Sequence, residues 1–547
     1  MKETKQYWKG LEQLANTPEF QKRAKKEFSD YLPYKDGVMT EEPTRRDFLK
    51  MMGFSVAAVS LAACEAPIRK AIPYVNKPVN VDPGVANYYA STFVSGSDVT
   101  SVVVKTREGR PIKVDANSLS PLGAGTTPQI EASVLSLYDE QRLKGPMASG
   151  KGVSWDEIDQ KVMAGIAASG KVALVTHSVS SPSTQASIDA LIAKFPNISQ
   201  VSYDAISMHG ALEAYASATG TRAIPLADYS KAKTIVSIGA DFLGSGPNAT
   251  LHQKQFASTR KLGKGKKEMS RLYAFESILS LTGANADYRT PIKPSQEGAY
   301  VANLYNLIAS KAGGVTVNAG SVADRVNLEK AAKDLLASNG AAIVVAGSND
   351  PAVQTLVIGI NNMLGSYGTT LSTTALLNTR KGNDEAMKNL IAELKSGATG
   401  GVIFYNCNPV YDHAMGNELE KALSAAKLSV STSDRMDETT ALVQYVAPDH
   451  HYLESWNDFE AVTGHFTLSQ PTIKNIFNTR QAQDSFLIWS GSQTNFYDTL
   501  RANWEARYAS ATGYLSFDHF WDKTLQDGVF QSPSTTAIAI ASLDVNT

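Results

Sequence analysis

The sequence predicts a multi-domain α/β protein in which parallel sheets are flanked by helices, preceded by a helical leader and a small β-rich region. Two observations carry this expectation. Apolar, β-rich runs at 172–176, 234–239, 272–276, 341–347 and 402–406 alternate with helical patterns such as 184–195, 298–312 and 353–364. Strands that are apolar on both faces and joined through helices belong to buried parallel sheets. The length of 547 residues exceeds what one hydrophobic core serves, so several domain-sized units are expected. Several strand ends carry small residues, as in Ile238-Gly239-Ala240-Asp241, and open α/β sheets bind ligands beyond such ends.

Composition narrows the function classes. With 43% hydrophobic residues, 19% charged residues and a net charge of −1, the chain has an ordinary globular balance and no basic excess for nucleic acid. Its two cysteines, Cys64 and Cys407, are too few for an iron–sulfur cluster, which usually takes four thiolates. The adjacent histidines His450 and His451 read as a surface loop, and no histidine or cysteine pattern has zinc spacing. Neither a GxGxxG nor a Walker sequence is present: the basic stretch 263–267 lacks the required Ser or Thr and reads as solvated surface. Asp412-His413, near Ser431 and Ser433, lacks the elbow motif of a nucleophilic triad. Trp456, Trp489, Trp504 and Trp521 read as packing residues.

The amino-terminal region divides into a leader and a signal. Residues 1–40 repeat apolar positions at helical spacing, Tyr7, Trp8, Leu11, Leu14 and Phe20, between Lys and Glu. Within 41–64, Arg45-Arg46-Asp47-Phe48-Leu49-Lys50 precedes an uncharged run that closes on Leu61-Ala62-Ala63-Cys64. That run is too short to span a bilayer but suits a signal core, and paired arginines form a receptor-read export address. Small residues before Cys64 suit lipoprotein processing, which would place acyl chains on its thiol. Residues 65–150 then read as β-rich, 151–480 as the α/β body, and 481–547 as a helical segment and the start of a further domain. The run 536–547 alternates like a strand, which suggests a chain continuing beyond the sequence given.

A chain of motifs resembles the molybdopterin oxidoreductases. Gly109-Arg110-Pro111-Ile112-Lys113-Val114 and then Tyr138-Asp139-Glu140-Gln141-Arg142-Leu143-Lys144-Gly145-Pro146 are similar to that family's strand hairpin and "lYdpdRLk-P" segment. Val153-Ser154-Trp155-Asp156-Glu157 resembles its "isWdeA" helix start, and Ile235 to Asp241 resembles its pterin-nucleotide loop. Ala286-Asp287 with Ile292-Lys293-Pro294-Ser295, Asn406-Cys407-Asn408-Pro409 and Thr439-Thr440-Ala441 follow in order. Val446-Ala447-Pro448 with Glu454-Ser455-Trp456 completes the series. By this resemblance Gly239, Asp241, Ser295 and Asn408 line a degenerate cofactor cleft.

The departures from the family shape the functional expectation. Its cluster cysteines have no counterpart between Tyr88 and Val102 or near 125–132. Ser207, or His209 beside it, lies about where the family places its metal ligand, but neither is marked as one. At Lys293-Pro294-Ser295-Gln296 the glycine that lets backbone approach a phosphate is missing. The extended twin-arginine signal, the molybdoenzyme-like body and the missing ligands together resemble the large subunit of alternative complex III, in its amino-terminal half. The resemblance implies a non-catalytic scaffold of a membrane-bound respiratory quinol oxidoreductase, with no cofactor in this chain. Iron–sulfur clusters and haem c are then expected in fused or partner domains. These would be a ferredoxin-like domain, a multihaem cytochrome c and a polytopic quinol-binding subunit, with a lipid anchor at Cys64 on the periplasmic side. Two alternatives stand beside it: an active molybdenum or tungsten oxidoreductase with a non-cysteine ligand, and an exported ligand-binding lipoprotein.

Overall fold

A computed structural model describes residues 15, 17–24, 81–82, 84–96, 98–123, 125–263, 265–532, 537–540 and 543. The chain divides into two compact units, Met1–Lys77 and Pro78–Thr547. In the first, the described structure is the helix Pro18–Ala24. Arg45, Arg46 and Cys64 lie outside the described residues.

The second unit contains four sheets. A three-stranded antiparallel sheet comes first, Ala86–Ser95, Asp98–Arg107 and Arg110–Ala116. Its buried face, Val102, Val104 and Val114, packs on Ile130, Val134 and Leu137 of the helix Pro128–Leu137. The largest sheet has seven strands in the order Lys151–Gly152, Met147–Ala148, Tyr445–Val446, Leu428–Ser431, Thr399–Tyr405, Lys171–Thr176 and Ile198–Ser202. Its last five strands run parallel. A four-stranded parallel sheet has the order Tyr288–Pro291, Arg271–Glu276, Thr234–Ile238, Ala342–Ala346. The fourth sheet, Val529–Gln531, His465–Ser469, Asn457–Val462, Leu371–Leu377 and Ile224–Ala227, is antiparallel.

Helices cover both parallel sheets, as the apolar runs require. Val236, Tyr273 and Val344 of the four-stranded sheet share one core with Leu304, Ile308 and Ile360 from helices. Val172, Leu174 and Ile403 of the seven-stranded sheet share another with Ile158, Ile188 and Trp489. Local chemistry starts these helices. Ser154 accepts a hydrogen bond from the Glu157 amide and caps Trp155–Ala168, and Ser181 does the same for Pro182–Lys194, with Pro182 in the first turn. The α/β expectation therefore holds, with sheets flanked by helices.

Two motif residues act as structural locks. Trp155 lies 4.0 Å below the Arg480 guanidinium, which pairs with Asp159 through bonds of 2.8 and 2.6 Å. Asp159 also accepts from the Trp489 ring N–H at 2.7 Å, so both tryptophans brace one buried ion pair. Residues after 481 fold back onto the antiparallel sheet: Trp504, Phe520 and Trp521 pack on Phe466 and Leu468. Most of the run 536–547 lies outside the described residues, which there are 537–540 and 543. Ile538 is buried and gives its amide to the Thr373 carbonyl at 2.9 Å.

Candidate functional site

The strand order of the seven-stranded sheet reverses between Thr399–Tyr405 and Lys171–Thr176. From one, the chain crosses through the helix Gly416–Leu423 to Leu428–Ser431; from the other, through Pro182–Lys194 to Ile198–Ser202 on the opposite side. Diverging connections open a crevice beyond the carboxyl ends of such strands. A cleft of about 760 Å³ lies there. Its walls come from the residues just past four strand ends, among them His177, Asn406, Asn408, Asp434, Arg435, Asp449 and His450. The small sheet closes one side with Thr92 to Gly96.

The cleft is acidic. Asp412, Asp434, Asp437 and Asp449 line it, against the single guanidinium of Arg435. Arg435 is itself engaged, pairing with Asp139 and donating to the Ser136 carbonyl at 3.2 Å. Burial raises the carboxyls of Asp412 and Asp434 above their ordinary value.

Asp449 is the most constrained of the four. It accepts from the Asn406 amide side chain at 2.6 Å and from the backbone N–H groups of Ala482 at 2.9 Å and His450 at 2.7 Å. Asn406 reaches it from a left-handed backbone conformation, φ 46°, which asparagine tolerates better than other side chains. Burial nevertheless pushes Asp449 up to about 7 against those three donors. An unfolded aspartate titrates near 3.9. The folded state therefore holds this proton more tightly, and the stability it contributes is present below about pH 4 and lost as pH rises through about 7. Asp449→Asn cannot ionise, and the Asn406 amide can turn to meet it. The variant is expected to melt higher than wild type at pH 8 and to lose that advantage at pH 4. An equal difference in melting temperature at both values would show that folding does not raise the Asp449 pKa.

A ring cluster packs behind two lining residues, His177 and Asp412. Tyr203 donates its hydroxyl to Asp412 at 2.7 Å and packs on His177 and His413 at 4.7 and 5.6 Å between centroids. His177 places Nε2 3.7 Å from the Asp412 carboxylate and Nδ1 3.3 Å from the Tyr203 carbonyl. The Cys407 thiol is buried beside Tyr203, raised well above its ordinary pKa by burial, and directed 3.5 Å from the Val175 carbonyl. A protonated thiol in that setting is a packing group and not a soft ligand.

Beneath the cleft, two motifs recognised separately meet. Arg142, from the Tyr138–Pro146 segment, has a fully buried guanidinium that pairs with Glu454 at 2.7 and 3.3 Å. It also donates to the Leu137 carbonyl at 3.0 Å and lies 3.4 Å from Asp434. His450 and His451 line the cleft next to this pair, which corrects their assignment to a surface loop. His450 bonds Thr479 through Nδ1 at 2.7 Å. His451 is buried, places Nε2 2.8 Å from the Ser136 hydroxyl and accepts at Nδ1 from the Leu453 amide. Burial, helped by the Arg142 charge, pushes its imidazole down to about 3, so it stays neutral. A polar pair after a proline resembles a surface loop in sequence; here His451 is buried against the helix of the small sheet, and His450 is half-buried at the cleft wall.

The structure separates the four residues assigned to one cleft by resemblance. Asn408 lines it, accepting from Thr439 at 3.1 and 2.7 Å and donating to Glu438 at 2.7 Å. Gly239, Asp241 and Ser295 stand instead beyond the four-stranded sheet, whose order reverses between Thr234–Ile238 and Ala342–Ala346. There the loops after two of its strands approach each other closely. A Cβ on Gly347 would fall 2.2 Å from the Gly239 carbonyl oxygen, and one on Gly239 would fall 2.7 Å from the Glu297 carboxylate. Asp241 accepts from the amide and hydroxyl of Thr282 at 2.9 and 2.8 Å, and Ser295 lies in the short helical turn Pro294–Gln296. Ser207 donates to Asp384 at 2.7 Å, and His209 lies 3.1 Å from Arg222. Neither lines the cleft. Among the described residues no three His, Cys, Asp or Glu side chains are grouped to hold a metal ion.

No family model matches the chain. It is 26% identical over 509 residues to the menaquinone reductase molybdopterin-binding-like subunit of Nitratidesulfovibrio vulgaris, covering 82% of this chain and 71% of that one. The solved structure of acetylene hydratase from Pelobacter acetylenicus superposes with a TM-score of 0.59, over 81% of this chain and 74% of its own, at 11% identity. The fold is that of the molybdopterin oxidoreductases. Within that fold, the motifs at Arg142, Trp155 and Glu454 mark buried ion pairs and their packing partners. Asp449 and the ring cluster around Tyr203 were not singled out as site residues in the sequence. The available signal was position for His177 alone, just past the run 172–176; the strands before Tyr203 and Asp449, Ile198–Ser202 and Tyr445–Val446, were not among the predicted runs.

Proposed function

We propose that this chain is a non-catalytic scaffold subunit of a membrane-bound respiratory quinone oxidoreductase of the alternative complex III type. It would hold iron–sulfur and haem partners beside a polytopic quinone-reactive subunit. Export by the twin-arginine route and acylation at Cys64 belong to the same proposal. The observation that carries it is the character of the two crevices. The residues present do not fit the pterin cofactor that this fold implies. Dinucleotide phosphates need backbone N–H groups and cations, whereas the open cleft holds four carboxylates and one guanidinium already engaged. At the second crevice Gly347 approaches Gly239 closely, with the Glu297 carboxylate over Gly239. An iron–sulfur cluster usually takes four thiolates, and the one described cysteine keeps its proton under burial. The sequence similarity to a molybdopterin-binding-like subunit of a menaquinone reductase supports the respiratory setting.

Cleft substitutions test this reading. His177→Gln and Asp412→Asn, in membranes carrying normal amounts of every subunit, are expected to leave quinone-linked turnover within about twofold of wild type. Removing a group that takes part in proton transfer costs about 10²–10⁴-fold. A loss of that size with assembly intact would mean that the cleft does chemistry, and the active-oxidoreductase reading would replace the scaffold.

A further inference from the structure

The three-stranded sheet carries a cationic face with no described cover. Its register sets Tyr88 opposite Lys105 and Lys105 opposite Lys113; along the same strands Ala86 stands opposite Arg107, and Arg107 opposite Arg110. Directly opposed residues share a face, as do residues two apart on one strand. Arg110 and Lys113 are three apart yet share that face because the pairing shifts past Ile112, the extra residue of a bulge. Tyr88, Lys105, Arg107, Arg110 and Lys113 therefore form one surface, with Tyr88 61% exposed. The sheet's other face is buried on its helix. Lower on the cationic face, Ala90 is covered: a Cβ on Gly528 would fall 2.5 Å from its own.

This arrangement works against the sheet that carries it. Like charges directly opposite on paired strands are destabilising, and here Lys105 opposes Lys113 while Arg107 opposes Arg110. Lys113 is relieved by Asp115 at 2.5 Å. Among the described residues no carboxylate pairs with Lys105, Arg107 or Arg110. Lys105 has the Tyr88 ring, 6.0 Å away.

We infer that this face docks an acidic surface of a partner subunit, an inference that rests on the scaffold reading for the existence of that partner. Arg and Tyr are the side chains that anchor protein interfaces. A membrane-docking face would instead push Leu, Phe or Trp out among its cations. The exposed apolar side chains at this sheet are Val85, Tyr88 and Ile112. Anionic partner groups would convert two repulsive cross-strand pairs into a cation array with its counter-charge supplied.

The test uses the full chain in native membranes, with a photo-crosslinking residue in place of Tyr88 and a second substitution at Arg110. The expected product is a cross-link to a protein peptide richer in Asp and Glu than in Lys and Arg. Its yield should fall about tenfold with Arg110→Glu and persist with Arg110→Lys. The introduced carboxylate faces Arg107, so the purified Arg110→Glu protein should melt no lower than wild type; the lost cross-link is then not unfolding. Cross-links to lipid, cross-links to a peptide without acidic excess, or a yield indifferent to Arg110→Glu would each overturn the docking face. An assembled complex that gives no cross-link sinks this face alone. A normal cross-link beside cleft variants that have lost turnover sinks the scaffold reading alone.

Discussion

Arg142→Ala is expected to destabilise the body of the protein by about 3–5 kcal/mol, the range for removing one partner of a buried ion pair. Both side chains of the Arg142–Glu454 pair are fully buried. Burial drives the Glu454 carboxyl up, and the Arg142 hydrogen bond together with the amides of Ile476 and His451 brings it below its ordinary value. Without Arg142, burial wins: Glu454 is left beside Asp434 with no cation in contact and takes up a proton at a higher pH. The variant should therefore lose more stability at pH 8 than at pH 5. The Leu137 carbonyl loses its donor as well, and Phe477 loses the guanidinium 5.3 Å from its ring. Arg142→Met combined with Glu454→Gln should recover part of the loss, because no unpaired charge stays buried. Thermal melts of the purified proteins at the two pH values decide the matter. A single variant that melts with wild type would show that the pair does not hold these segments together.

Arg45→Lys with Arg46→Lys is expected to abolish export, leaving the protein in the cytoplasm. A receptor that reads paired guanidinium groups reads their planar donor fork, which an ammonium cannot reproduce even though the charge is kept. Fractionation of cells producing the double variant, with an unrelated exported protein as control, measures the outcome. Normal periplasmic accumulation would remove the export signal from the proposal. The mass of the mature amino terminus of wild-type protein bears on Cys64: an unmodified cysteine would exclude lipid attachment and leave the export route standing.

Much of the architecture was legible in the sequence because apolar strands and amphipathic helices have distinct periods. The runs at 172–176, 234–239 and 402–406 became the strands Lys171–Thr176, Thr234–Ile238 and Thr399–Tyr405. Ser154 announced a helix start through its own side chain, whereas the start at Ser181–Pro182 falls before the pattern read from 184. Such signals are local, since a cap or a β-rich run acts within a few residues.

The site was less legible because it depends on strand order, which no local pattern encodes. Asn408 and Gly239 look equivalent in sequence, each just past an apolar strand. Tertiary structure put them beyond different sheets, one at an open crevice and one under Glu297. The same holds for His450 and His451, whose burial comes from the helix and loops around Ser136 and Thr479, more than 300 and nearly 30 residues distant respectively. The charge of the cleft likewise belongs to no segment, because its four aspartates arrive from three strand ends. By itself, then, the sequence determined which segments become strands and helices, since those choices follow from periodicity and capping along the chain. Only the tertiary structure decided which strand ends meet, which crevice stays open and which carboxylates share it, because those depend on contacts between residues hundreds of positions apart.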